Sequence, residues 1–201
     1  GPNANTPYNQ LGDYTAPQER TAIRTVLDGV KAKVPSAEVI YAKGTAIRDT
    51  TQSDIAAAVQ AARQSDVAIV VVGGSSARDF ETKYIETGAA VADAKSLSDM
   101  ESGEGFDRST LDLLGDQIKL LEAIKETGKP MIVVYIQGRP LNMNWAHEHA
   151  DALLNAWYPG QEGGNAIADV IFGDYNPAGR MPISVPRSVG QLPVYYNKKV
   201  P

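Results

Sequence analysis

The sequence predicts an α/β fold, a doubly wound and mostly parallel sheet sandwiched by helices. Two runs, Val67-Ala-Ile-Val-Val-Val72 and Met131-Ile-Val-Val-Tyr-Ile136, are apolar with no polar alternation, the pattern of parallel strands covered on both faces. Segments with apolar residues at helical spacing alternate with such runs, so each connection can return over one sheet. No internal repeat and no low-complexity linker interrupts the 201 residues, which read as one domain.

The elements follow in order. Gly1-Pro-Asn-Ala-Asn5 is neither a signal peptide nor a charged targeting segment. It reads as a turn caught part-way through a fold, with a cleavage scar as the alternative. Over residues 17–34, Ile23, Val26, Leu27, Val30 and Val34 recur at helical spacing, with Pro17 in the first turn and Pro35 as the stop. Residues 38–43 are strand-like, and Gly44 closes them. Thr51 and Asp54, at capping-box spacing, open a second helix carrying Ile55, Ala58, Val59 and Ala62. The strand at 67–72 stops at Gly73-Gly74. Residues 75–114 then show no sustained period, which predicts a functional loop with a short helix at 87–95. A helix over 116–127 buries Ile118, Leu121 and Ile124 and ends at Gly128, with Pro130 just beyond. The strand at 131–136, a short helix at 144–149, a strand at 152–157 and a helix at 165–172 complete the alternation. Residues 181–185 are a candidate last strand.

Composition narrows the chemistry. Hydrophobic residues are 43% and charged residues 21%, ordinary for a globular domain. The net charge of −5 and the lack of any Lys/Arg cluster argue against nucleic acid as a partner. No apolar run approaches the roughly 20 residues of a membrane span. The absence of cysteine excludes disulfides, thiolate metal sites and a cysteine nucleophile. The two histidines, His147 and His149, sit two apart on a predicted helix and diverge, so they cannot chelate one metal together. Carboxylates, arginines, amides and hydroxyls remain.

In an open parallel sheet, ligands sit beyond the carboxyl ends of the strands. The segments to inspect are therefore 73–79, the long loop to 114, 137–140 and 158–164. No Walker or dinucleotide fingerprint is present: Gly103-Glu-Gly-Phe-Asp-Arg108 lacks the last glycine and follows no strand. From residue 88 on, the long loop carries Asp93, Asp99, Glu101, Glu104, Asp107 and Asp112 against Lys95 and Arg108. A solvated acidic loop is the bland reading. Against it, Glu104 stands between two glycines, on a backbone free to approach a ligand closely, as a general acid requires. Arg139 reads as an ion pair that fixes its loop. Trp145 and Trp157 read as core, with a sugar subsite as the alternative for Trp157.

Several segments together carry a resemblance: Pro7-Tyr-Asn-Gln-Leu-Gly-Asp-Tyr-Thr15, Val70-Val-Val-Gly-Gly-Ser-Ser-Ala-Arg-Asp79, Ser102-Gly-Glu-Gly-Phe-Asp-Arg108, Gly138-Arg-Pro140, Trp157-Tyr-Pro-Gly-Gln-Glu-Gly-Gly164 and the run from Phe172 to Tyr196. Over essentially its whole length the chain resembles the second, α/β-sandwich domain of glycoside hydrolase family 3 β-glucosidases and β-xylosidases. The resemblance implies a retaining β-glycosidase, with its active site between a barrel domain and this one. It places the nucleophile Asp on the barrel and the general acid/base on this domain's long loop. Glu104 matches that acid/base, and Glu101 is the runner-up. Placement at strand ends adds Arg78, Asp79 and Arg108 as residues lining the leaving-group side.

The chemistry is consistent with the resemblance. Retaining hydrolysis needs two carboxyls about 5–5.5 Å apart, one ionised and one protonated. A partly desolvated Glu beside other acids has the raised pKa of an acid. The resemblance implies no cofactor and no metal. It implies as partners a β-linked oligosaccharide, the enzyme's own barrel and, where relatives continue, a fibronectin-like domain, in a periplasmic or secreted setting. In family members the Gly-Pro-Asn-Ala turn follows the first strand of the sheet, so this sheet is expected to lack that strand and the chain reads as a fragment. A non-catalytic carbohydrate-binding or interface scaffold is the competing reading, and a nucleotide-binding domain a third.

Overall fold

A computed structural model describes residues 1–16, 18–77, 85–87, 99–103, 106–197 and 199. Three strands, β1 (Ala68–Gly73), β2 (Met131–Ile136) and β3 (Ala152–Asn155), pair in parallel in the order β1-β2-β3. Val70 stands opposite Val133, and Val134 opposite Leu154. The helices are α1 (Val26–Lys33), α2 (Ile55–Gln64), α3 (Gln117–Lys125), α4 (Asn144–His149) and α5 (Gly163–Ile171). Successive strand residues point to opposite faces. Val70, Val72, Val133 and Tyr135 therefore pack with Leu120, Leu121 and Ala146 on one side. Val71, Val134 and Ile136 pack with Val26, Val30 and Ile167 on the other. Both faces are covered, as the unbroken apolar runs require.

Four local expectations are corrected. The first α-helix begins at Val26, because Thr25 and Asp28 form a capping box there; residues 20–22 are a separate 3-10 turn. Pro17 lies outside the described residues. Asp54, accepting from the Ala57 amide, caps α2, while Thr51 belongs to a 3-10 turn capped by Asp49. Residues 181–185 form no strand, since Pro182 offers no amide and Met181 and Ile183 stay exposed. Residues 38–43 form no ladder either. Ile40 and Ala42 instead line an open pocket beside Ala68, Ile69 and Val70 of β1, shared with Ala58, Leu120 and Ile124. The N-terminal turn borders it: the Gly1 nitrogen donates to the Ala42 carbonyl (3.4 Å) and the Asn3 amide to that of Val71 (3.2 Å). Of the helix expected at 87–95, all but Thr87 lies outside the described residues, and Thr87 is in a turn.

Helices α1 and α5 meet backbone to backbone. A Cβ on Gly29 would fall 2.1 Å from the Gly164 carbonyl oxygen, and one on Gly164 1.9 Å from that of Thr25. Replacing Gly164 with Ala must push the helices apart and is expected to cost about 1–3 kcal/mol. Gly179→Ala, in open space, serves as the neutral control. Urea midpoints check both.

Candidate active site at the carboxyl ends of the strands

The site is assembled on the last residues of β1 and β2. Gly73 has a φ of 130° and lies so close to β2 that a Cβ would fall 1.9 Å from the Ile136 carbonyl oxygen. Its backbone groups are taken up by the fully buried Gln117 at the start of α3. The Gln117 side chain accepts from the Gly73 amide and donates to the Gly73 carbonyl, both at 2.9 Å. Asn3, equally buried, donates to the carbonyls of Val72 (3.4 Å), Gly74 (3.1 Å) and Ile136 (3.4 Å). It accepts from Asn9 (2.7 Å), which in turn accepts from the Ser75 hydroxyl (2.7 Å). These amides replace the ladder partners that the chain loses on turning away from the sheet.

The turn so fixed presents the Ser75 carbonyl to the amides of Glu101 (2.9 Å) and Ser102 (3.3 Å). A second anchor lies just upstream. Asp99 accepts from the amides of Ile47 and Arg48, and Arg48 donates to the Met100 carbonyl (2.9 Å). Ser102 shares a hydrogen bond with the Tyr158 hydroxyl (3.1 Å). Burial, chiefly, pushes the Tyr158 phenol up; the Glu101 charge adds to this, and hydrogen bonds with Ser102 and Ser76 oppose it. Tyr158 fits because Gly12 and Gly138 lack side chains: a Cβ on Gly138 would stand 2.4 Å from its hydroxyl. On the far side, Arg139 donates to the Phe106 carbonyl (3.2 Å). Among the described residues its side-chain contact is this carbonyl, in place of the ion pair expected of it.

Glu101 and Arg108 turn inward. Their side chains are 0% and 4% exposed and meet at 2.5 Å, Nη1 to Oε2. The other end of the guanidinium donates to the Asp112 carbonyl. Among the described residues, Glu101 Oε1 and Arg108 Nε have no hydrogen-bond partner. Glu101 also explains the second glycine of the pair, since a Cβ on Gly74 would fall 1.8 Å from Oε1. The expectation that Arg108 lines the leaving-group side thus meets a guanidinium already engaged in the interior. Glu104, Arg78 and Asp79 lie outside the described residues.

The remaining candidates are placed as follows. Trp145 packs against the core, and His149 stacks on it with ring centroids 4.5 Å apart. Trp157 is half-buried with a φ of 52°, a strained conformation for a bulky residue, and its carbonyl accepts from the Gln137 amide. Among the described residues no three His, Asp or Glu side chains are placed to hold a metal ion, and no helix is long and apolar enough to cross a membrane. Sequence reasoning missed Asn3, Asn9, Gln117 and Tyr158. The available signal was an amide or phenol set beside a Gly- or Pro-bearing turn at a strand end.

Comparison with known proteins decides the family. The profile of the glycosyl hydrolase family 3 C-terminal domain matches residues 1–200. This chain belongs to glycosyl hydrolase family 3. A β-xylosidase of Formosa agariphila is 40% identical over 203 residues, with 98% of this chain and 25% of the relative covered. A periplasmic β-glucosidase of Salmonella typhimurium is 37% identical, covering 98% of this chain and 26% of its own length. The family 3 chain therefore spans about a quarter of these curated relatives. Among solved structures, the β-glucosidase of Listeria innocua in complex with isofagomine superposes with a TM-score of 0.76 at 28% identity, over 98% of this chain and 24% of that one.

Removing the Asn3 side chain leaves three buried carbonyls short of a donor. Asn3→Ala is expected to lower stability by about 1–3 kcal/mol. Hydrogen exchange at the Glu101 and Ser102 amides should accelerate with it, because both bonds hang from the turn that Asn3 and Asn9 hold.

Proposed function

We propose that this chain is the acid/base-bearing domain of a retaining β-glycosidase acting on β-linked gluco- or xylo-oligosaccharides, with the active site completed by a barrel domain. The observation that carries the reading is the anchoring of the chain on both sides of Glu104. Residues 99–103 are pinned to the end of β1 and to Ile47–Arg48, and residues 106–108 to Arg139 and Glu101. A general acid needs such support, because its proton must meet one oxygen in one geometry. The membership in family 3 and the β-xylosidase and β-glucosidase relatives support the substrate class. The periplasmic relative supports a periplasmic or secreted setting.

In this reading a barrel Asp attacks the anomeric carbon while Glu104 gives its proton to the departing glycosidic oxygen. Glu104 then takes a proton from the water that attacks the glycosyl–enzyme ester, restoring both carboxyls. Arg78 and Asp79 line the leaving-group side. Glu101 ranks below Glu104 because its carboxylate would have to leave a buried ion pair to reach a substrate. One observation favours the scaffold alternative: Asp99, Glu101 and Asp112 are each engaged in internal bonds.

The test joins this chain to a barrel domain and compares Glu104→Gln with the unaltered enzyme. The substitution is expected to lower kcat on cellobiose or xylobiose about 10²–10⁴-fold, while a dinitrophenyl glycoside, whose leaving group needs no proton, is still cleaved to the glycosyl–enzyme. Equal rates of wild type and variant on both substrates would overturn the assignment and favour a scaffold.

A further inference from the structure

The ion pair between Glu101 and Arg108 is an unusual way to fill a protein interior. Both side chains are almost wholly removed from water, and each keeps one polar atom without a partner among the described residues. A buried ion pair is often no more stabilising than apolar residues of the same volume, and each unmade hydrogen bond adds a penalty. Stability alone therefore does not account for it. What the pair supplies is geometry. Glu101 and Arg108 bracket the segment that carries Glu104, and their contact closes that segment at its base. Glu101 is held from behind by Gly74 and by its own amide on Ser75, while Arg108 reaches on to the Asp112 carbonyl. One guanidinium thus ties together the entry to the segment, its exit and the turn beyond.

We infer that Glu101 and Arg108 are positioning residues that hold the ends of the Glu104 segment together, so that the carboxyl of Glu104 is delivered to one place. This inference rests on the acid/base reading of Glu104. Gly103, with a φ of 102°, and Gly105 flank that residue in the chain. Glycine's freedom would spread its position unless the ends were fixed. A misplacement of about 1 Å at a reacting group is worth on the order of 100-fold in rate.

The experiment is a double-mutant cycle in the chain joined to a barrel domain, with Glu101→Gln, Arg108→Lys and Glu104→Gln alone and Glu101→Gln added to Glu104→Gln. Glutamine keeps the shape of Glu101, and lysine keeps the buried charge of Arg108, so either variant can decide the matter if the other does not fold. Each is expected to lower kcat on cellobiose or xylobiose about 10- to 100-fold, with KM changed less than about twofold. On the dinitrophenyl glycoside, kcat/KM, which reports formation of the glycosyl–enzyme and needs no proton from Glu104, should fall less than about threefold. Added to Glu104→Gln, the Glu101 substitution should cost nothing further, because it acts through Glu104. Loss of both substrates alike, or multiplication of the two effects in the double variant, would reduce the pair to a structural feature and overturn the inference. If Glu104→Gln by itself shows no split between the substrates, the acid/base reading fails and takes this inference with it. If it shows the split and Glu101→Gln does not, only this inference fails.

Discussion

The structure depends on how the backbone is satisfied where β1 and β2 end. A strand that leaves its sheet abandons hydrogen-bond partners in a region that excludes water, and each orphaned group there costs as much as a lost bond. Two buried side-chain amides meet that demand. Asn3 serves three carbonyls, one of them on β2, and Gln117 serves both backbone groups of Gly73. They arrive from opposite directions, Asn3 from the N-terminal turn and Gln117 from the head of α3. The end of β1 is therefore locked to elements that are distant in the chain.

Everything at the candidate site hangs from that lock. Because Gly74 and Ser75 are held, the Ser75 carbonyl can receive the amides of Glu101 and Ser102. Because Gly74 has no side chain, the Glu101 carboxylate can lie against it and meet Arg108. Tyr158 comes in over Gly12 and Gly138 to reach Ser102, joining the loop after β3 to the same cluster. The strand ends thus pass their order to residues 99–103 and 106–108 through a few short polar contacts.

Some of this was legible in the residues. The strands at 67–72 and 131–136 were found nearly to the residue, since burial on both faces leaves an unmistakable apolar run. The start of α1 was missed because Ile23, buried in extended backbone just after a 3-10 turn, mimics helical spacing, although Thr25 and Asp28 carry the local capping signal. The segment 38–43 has strand composition but no ladder, because pairing belongs to two segments and composition to one. At the site, the acidic, glycine-rich stretch was visible as unusual, yet which carboxylates face inward was not. Its flanking glycines set Glu104 apart in the sequence, but nothing around Glu101 says that its carboxylate enters a buried ion pair.

By itself the sequence determined the α/β class, the two-sided burial of the strands, the exclusion of thiol chemistry and the family likeness that glycosyl hydrolase family 3 membership bears out. These follow from periodicity, composition and motifs, all of which are properties of neighbours in the chain. Only the tertiary structure decided that Asn3 and Gln117 finish the sheet, that Gly74 makes room for Glu101, and that Arg108 turns inward. Those outcomes depend on which carbonyls lose their partners and which side chains arrive to replace them. That is a matter of meeting in space, and it is set when the layers pack.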